Sequence, residues 1–276
     1  MFDNPRLHRN RRINLNDEEE EIPDPPKLER SHSSLIPFPI HKSKRNDRMN
    51  EYMKNGVIPI HPDSTIITGS SGSGKTCCLL WLLSQPHLLG SYFDKTNIFL
   101  YAFSGKCDKS FNELKIPKNN IITSDMISKL GDYLTKRQAE VETKGIENTE
   151  DVLLVFEDIS SNPKLLRDKT ITKIVTAARH INCSVIMIGH KYTIFSRVVR
   201  LNAHNVIIFP ASNSEMEQII DEYAPPRVSK REFKELIEYA WTPDEQLVRP
   251  FLYINTRQPF RTRYRKGFNE ILELDI

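Results

Sequence analysis

Cysteine is scarce in this 276-residue chain: Cys77, Cys78, Cys107 and Cys183 make the full set of four, with no C-x-x-C pair and no histidine at metal-ligand spacing. Disulfide-stapled scaffolds and zinc modules are therefore excluded, and a reduced setting inside a cell or particle is the simplest reading. No apolar run approaches the ~18 residues that span a bilayer. The N-terminus, Met1-Phe2-Asp3-Asn4-Pro5, lacks the apolar stretch of a secretory leader. A soluble protein with no membrane partner is expected. An excess of one charge is also missing, since 39 Lys and Arg face 36 Asp and Glu for a formal net charge of +3. That balance neither demands nor excludes a nucleic-acid partner, so such an argument must rest on local clusters. Hydrophobic residues make up 38%, low for a wholly globular chain, and part of the sequence is expected to be tail.

What the chain does have is Gly69-Ser70-Ser71-Gly72-Ser73-Gly74-Lys75-Thr76, which fits G-x-x-x-x-G-K-[ST]. Ser64-Thr65-Ile66-Ile67-Thr68 before it reads as a strand, and Cys77-Cys78-Leu79-Leu80-Trp81-Leu82-Leu83 after it as a buried helix. A strand, a glycine-rich turn and a helix start are what a phosphate cradle needs. The turn aims backbone N–H groups inward and the helix N-terminus adds its positive end. Lys75 is expected to reach the β- and γ-phosphates of ATP, and the Thr76 hydroxyl to hold Mg²⁺.

Residues 1–47 read as a disordered, charged and proline-rich arm: Arg6, His8, Arg9, Arg11 and Arg12, then the acidic run Asp17 to Glu21, then Pro23, Pro25, Pro26, Pro37 and Pro39. From about residue 48 to 256, apolar strands alternate with helical patterns. This implies an α/β core with a central, mostly parallel sheet flanked by helices. Strands are expected at 97–103, 120–123, 151–156, 183–189, 205–209 and 251–254. Helices are expected from Ser124 or Asp125 toward Val141, over 165–180, from Ser212 or Asn213 through Tyr223, and from Ser229 through Tyr239. Residues 257–276 read as a basic C-terminal segment in which Arg257, Arg261, Arg263, Arg265 and Lys266 interleave with Phe260 and Tyr264. That cluster is either a phosphate-contacting surface or a charged tail.

Val152 to Phe156 followed by Glu157-Asp158 has the form of a Walker B strand. One carboxylate meets the metal beside Thr76 and its neighbour takes a proton from the attacking water. By position Glu157 takes the metal side and Asp158 the base side, although a one-residue shift would exchange them. The strand at 183–189 ends in His190, the candidate for a polar sensor of the γ-phosphate or the lytic water; the alternative is a surface histidine at a strand end. Charge on the transferring group also calls for an arginine, and Arg179, Arg197 and Arg200 are the candidates for a finger offered to a neighbouring subunit. Ser104 to Lys109 is a weaker candidate for lining a pore.

The order of Walker A, Glu157-Asp158, the stretch Ala178 to Tyr192, then Arg200-Leu201-Asn202 and Val206 to Phe209 resembles the genome-packaging ATPases of large double-stranded DNA viruses and virophages. The poxvirus packaging ATPase is the best-known of these, within the FtsK–HerA class of DNA-pumping motors. Two departures stand out: the acidic pair runs Glu-Asp, and His190 replaces the usual glutamine. The resemblance implies a RecA-like P-loop ATPase working as a pentameric or hexameric homo-oligomeric ring on double-stranded DNA. It also implies ATP between subunits, a capsid or vertex protein as docking partner, and a location in host cytoplasm, virus factory or virion. The sequence carries no N/T-K-x-D motif, which argues against a GTPase, and no L-S-G-G-Q-like signature, which argues against a transporter cassette. A nucleotide kinase, a cellular helicase or DNA-segregation motor, and a non-hydrolysing scaffold stay open as alternatives.

Overall fold

The computed structural model describes residues 48–274, which fall within one compact unit, Lys42–Ile276. The expected N-terminal arm lies outside the described residues. Nine strands among those residues form one sheet: β1 Ser64–Thr68, β2 Ile98–Ala102, β3 Ile121–Ile122, β4 Val152–Glu157, β5 Cys183–Gly189, β6 Asn205–Ile208, β7 Leu252–Asn255, β8 Tyr264–Lys266 and β9 Glu270–Ile271. Their order is β3-β2-β4-β5-β1-β6-β7-β8-β9. The first six pair in parallel, and β7 to β9 extend the sheet antiparallel.

The helices are α1 Glu51–Lys54, α2 Lys75–Ser84, α3 Met126–Lys144, α4 Pro163–Leu166, α5 Lys169–Ala177, α6 Arg197–Asn202, α7 Asn213–Tyr223, α8 Lys230–Ala240 and α9 Phe260–Arg263. Two buried clusters cover the sheet. One joins residues of α3, α5, α7 and α8 to Leu154, Phe156, Val185 and Met187. The other joins Leu79, Leu82 and Leu83 of α2 to Leu153, Val155, Ile186 and Ile188. Alternate residues of β4 and β5 thus enter opposite clusters, which is why β4 reads as an unbroken apolar run through Phe156 and β5 as one interrupted only by Ser184. Apolar burial on two faces drives a central sheet of this kind.

Several expectations need amendment. The helix over 165–180 is broken: α4 ends at Leu166, Asp168 caps α5 by accepting from the Thr170 N–H, and Ala178–Ile181 is a 3₁₀ turn. α2 is buried on one side only, since Cys77 and Trp81 are exposed. Asp125 and Ser212 hold their N-cap positions without a side-chain bond, whereas Ser229 and Glu232 form a reciprocal capping box on α8. The core also continues past residue 256, because β8 and β9 come from the segment read as a basic tail. Arg265 and Lys266 are buried there, Lys266 Nζ lies 2.7 Å from Asp244, Arg257 bonds Asp63, and Arg263 lies over the Phe260 ring. Those cations are committed to the fold, and of the five Arg257 and Arg261 are exposed, Arg257 while paired with Asp63.

Candidate active site

The carboxyl ends of β1, β4 and β5 meet because β5 separates β1 from β4 in the sheet. β1 delivers the loop Gly69–Gly74, and α2 begins at Lys75. Gly74 is the N-cap of α2 at φ 109° and offers no capping side chain, so the first N–H groups of the helix have no side-chain acceptor. Gly69 packs under Phe209 so closely that a Cβ there would lie 2.6 Å from the Phe209 Cβ. Both positions need glycine, the first for its left-handed backbone and the second for its lack of a side chain.

A cleft of about 390 Å³ opens over this loop, and its lining includes Gly72, Gly74, Lys75, Thr76, Glu157 and Asp158. Ser71, Asp108, Gly189, His190 and Arg249 also face it. Lys75 Nζ donates to the carbonyl oxygens of Gly69 at 2.8 Å and Ser70 at 2.7 Å, and lies 3.3 Å from His190 Nδ1. Burial holds the Lys75 pKa below its ordinary value, against the opposing pull of Asp158. His190 Nε2 lies 3.2 Å from Asp158 Oδ1, an ion-pair distance without hydrogen-bond geometry. The His190 backbone N–H donates to Ser160 Oγ at 2.6 Å, which anchors the strand end. His190 therefore bridges Lys75 and Asp158 and is no isolated surface histidine.

Glu157 is 8% exposed and its Oε2 has no hydrogen-bond partner. Burial first, then the charges of Asp158 and Asp108, push its carboxyl up to about 7. A buried carboxylate with an orphaned oxygen beside a second acid is a place a cation would satisfy. No cluster of three or more His, Cys, Asp or Glu able to hold a metal occurs among the described residues. Mg²⁺ takes one or two protein oxygens and completes its shell with phosphate and water. Thr76, Glu157 and Asp158 fit this role.

The arginines fall differently. Arg200 forms a fork on Glu222, with Nε to Oε1 2.9 Å and Nη2 to Oε1 2.7 Å, and donates to Phe195 O at 2.6 Å. It lines a separate cavity with Arg197, away from the phosphate loop. Arg179 is exposed in the 3₁₀ turn before β5, at the opposite end of that strand from His190. The structure brings neither into the cleft of its own chain. Asp108, in the 104–109 segment read as a possible pore lining, faces the phosphate cleft. Arg249 was missed: its Nη1 lies 3.4 Å from Gly72 O, across 177 positions of sequence. It stands in a loop with no motif around it, so no local signal marked it.

Comparison with known proteins adds the following. The family model described as Poxvirus A32 protein matches residues 53–243. No curated protein matches the chain by sequence. Among solved structures, the genome packaging NTPase B204 from Sulfolobus turreted icosahedral virus 2, in complex with AMP, is similar at 14% identity and TM-score 0.49, over 76% of this chain and 98% of that one. The DNA-packaging ATPase B204 from Sulfolobus turreted icosahedral virus follows at 16% identity and TM-score 0.46, over 72% and 95%. ATPases 2 and 3 of EssC from Geobacillus thermodenitrificans match at 11% identity and TM-score 0.47, over 60% of this chain and 35% of that one.

Proposed function

From the premise that the chain belongs to the poxvirus A32 protein family, whose model spans well over half of it, we propose that it is an ATPase whose turnover drives double-stranded viral DNA into a capsid. The observation that carries the catalytic part is the single cleft holding Lys75, Thr76, Glu157, Asp158 and His190 at the carboxyl ends of three adjacent strands.

The β- and γ-phosphates lie on the backbone N–H groups of Gly69, Ser70, Ser71, Gly72, Ser73 and Gly74 and on the free N-terminus of α2. Lys75 exchanges its two loop carbonyls for phosphate oxygens. Thr76 and Glu157 hold Mg²⁺, which when bound neutralises charge on the transferring phosphoryl group. Asp158 accepts the proton of the attacking water, and His190, with its proton on Nε2, orients that water or the γ-phosphate. Nδ1 of His190 is then free to accept from Lys75. Arg179 and Arg200 lie outside the cleft of their own chain, so either one would act as a finger only from a neighbouring subunit. Arg179 is exposed and suits that role better than Arg200, whose guanidinium already serves Glu222. A finger offered in trans supports a homo-oligomer; the ring of five or six subunits and the docking on a capsid or vertex protein are carried only by the family reading. No helix among the described residues is long and apolar enough to cross a membrane.

The test is ATP turnover by the full chain with and without duplex DNA, alongside a mass measurement of the assembly. DNA should stimulate hydrolysis, with an effect that weakens steeply with salt. Lys75→Ala should abolish turnover and keep the fold. Phosphate transfer to a nucleotide acceptor, with indifference to DNA at low salt, would mean a kinase.

A further inference from the structure

Beside the phosphate cleft lies a mostly apolar cavity of about 420 Å³, within the ordinary size of small-molecule sites. The two share Gly74, Cys77 and Arg249. One wall is the exposed side of α2, where Trp81, 43% exposed, stacks on Phe268 with ring centroids 5.8 Å apart and planes 15° from parallel. Leu247 and Gln246 of the loop before β7 and Asn269 of the β8–β9 turn complete the cavity. Nothing in the chemistry of hydrolysis uses this space.

The sheet order decides what can reach it. β4, with Glu157 and Asp158, lies on one side of β1, and β6 to β9 lie on the other. A triphosphate whose terminal phosphate faces Glu157 and Asp158 must run its nucleoside end the opposite way. That path passes Gly74 and Cys77 and enters this cavity. We propose that the cavity takes the adenine and ribose of the nucleotide, with the Trp81–Phe268 pair as its stacking wall and the Gln246 and Asn269 amides reading the base edge. An amide matches the donor–acceptor pattern of adenine. A carboxylate is the side chain that best accepts from guanine N1–H and N2–H₂ together, and both that line the cavity already have a partner: Asp244 has Lys266 Nζ at 2.7 Å, and Glu270 has the Tyr239 hydroxyl at 2.8 Å. The C-terminal hairpin, beyond the end of the family match at residue 243, is then part of the nucleotide site.

This inference rests on the reading that the Gly69–Thr76 loop binds triphosphate, and calorimetry on the full chain separates the two. ATP, GTP and inorganic tripolyphosphate are titrated into the unsubstituted protein, Trp81→Ala, Gln246→Ala and Lys75→Ala. Trp81→Ala should weaken ATP about tenfold, the scale of one base–aromatic stack, and leave tripolyphosphate unchanged. Gln246→Ala should narrow the preference for ATP over GTP. Lys75→Ala should weaken ATP and tripolyphosphate alike; if it weakens neither, the phosphate-loop reading fails first. The chain has two tryptophans, so a Trp241→Phe variant reports on Trp81 alone. Its fluorescence should respond to ATP and stay flat with tripolyphosphate. Undiminished ATP binding by Trp81→Ala, equal loss of ATP and tripolyphosphate in that variant, or an unchanged ATP-to-GTP ratio in Gln246→Ala would overturn the assignment.

Discussion

Replacing Glu157 by glutamine removes a charge that the fold holds where it is poorly solvated, and the result can be read as stability. The carboxyl moves from its ordinary 4.5 to about 7 in the folded chain. The fold therefore binds that proton more tightly than the unfolded chain does. The associated stability is fully present below pH 4.5 and is lost as pH rises to about 7. At about 1.36 kcal/mol per pH unit the whole loss is about 3 kcal/mol, and about 2 kcal/mol of it falls above pH 5.5. Glutamine keeps the shape of the protonated acid and does not titrate. Urea unfolding of nucleotide-free protein in chelator, at pH 5.5 and pH 8.5, should show Glu157→Gln gaining about 2 kcal/mol on the unsubstituted protein between the two. With Mg²⁺ and ATP present the order should reverse, because the carboxylate then has its cation, and turnover by the variant should fall about a hundredfold or more. An equal stability difference at both pH values would refute the reasoning that burial and the neighbouring acids strain this carboxylate.

Two other substitutions separate site from scaffold. Arg249→Ala should leave stability within about 0.5 kcal/mol, as for other exposed positions. It should raise the KM for ATP about tenfold by removing a cation from the mouth of the cleft; steady-state hydrolysis with an unchanged KM would exclude Arg249 from the site. Arg200→Ala should cost about 2 kcal/mol in urea unfolding, because Glu222 loses its charged fork partner and keeps only the neutral donors Tyr192 and Gln218. Unchanged stability combined with lost DNA-stimulated turnover would return Arg200 to the role of a finger.

The parts of this protein legible from its residues are those whose chemistry is contiguous. Gly69 to Thr76 is one turn of backbone feeding one helix, so spacing alone specifies where its N–H groups point. The apolar run at 152–156 and the mostly apolar run at 183–189 likewise announce central strands, and Glu157-Asp158 and His190 follow directly at their ends. The helix over 165–180 was misjudged because Asp168 ends one segment and caps the next, a local competition that hydrophobic periodicity does not register. The basic cluster after residue 256 was misjudged for a different reason. Charge read along a chain does not reveal that Lys266 will face Asp244, or that Arg257 will face Asp63.

By itself, then, the sequence determined the phosphate cradle, the acidic strand end and the α/β alternation, because each is a matter of local geometry over a few residues. Only the tertiary structure decided that His190 stands between Lys75 and Asp158, that Arg249 reaches Gly72, and that Arg200 is spent on Glu222. It also decided that His61, Asp151 and Ser184 form a buried network at the amino ends of β1, β4 and β5, the ends opposite the cleft. Those pairings depend on strand order, which places β5 between β1 and β4 and carries β7 to β9 to the far side. Strand order is a global outcome of burying two apolar faces at once, and no short window of sequence contains it.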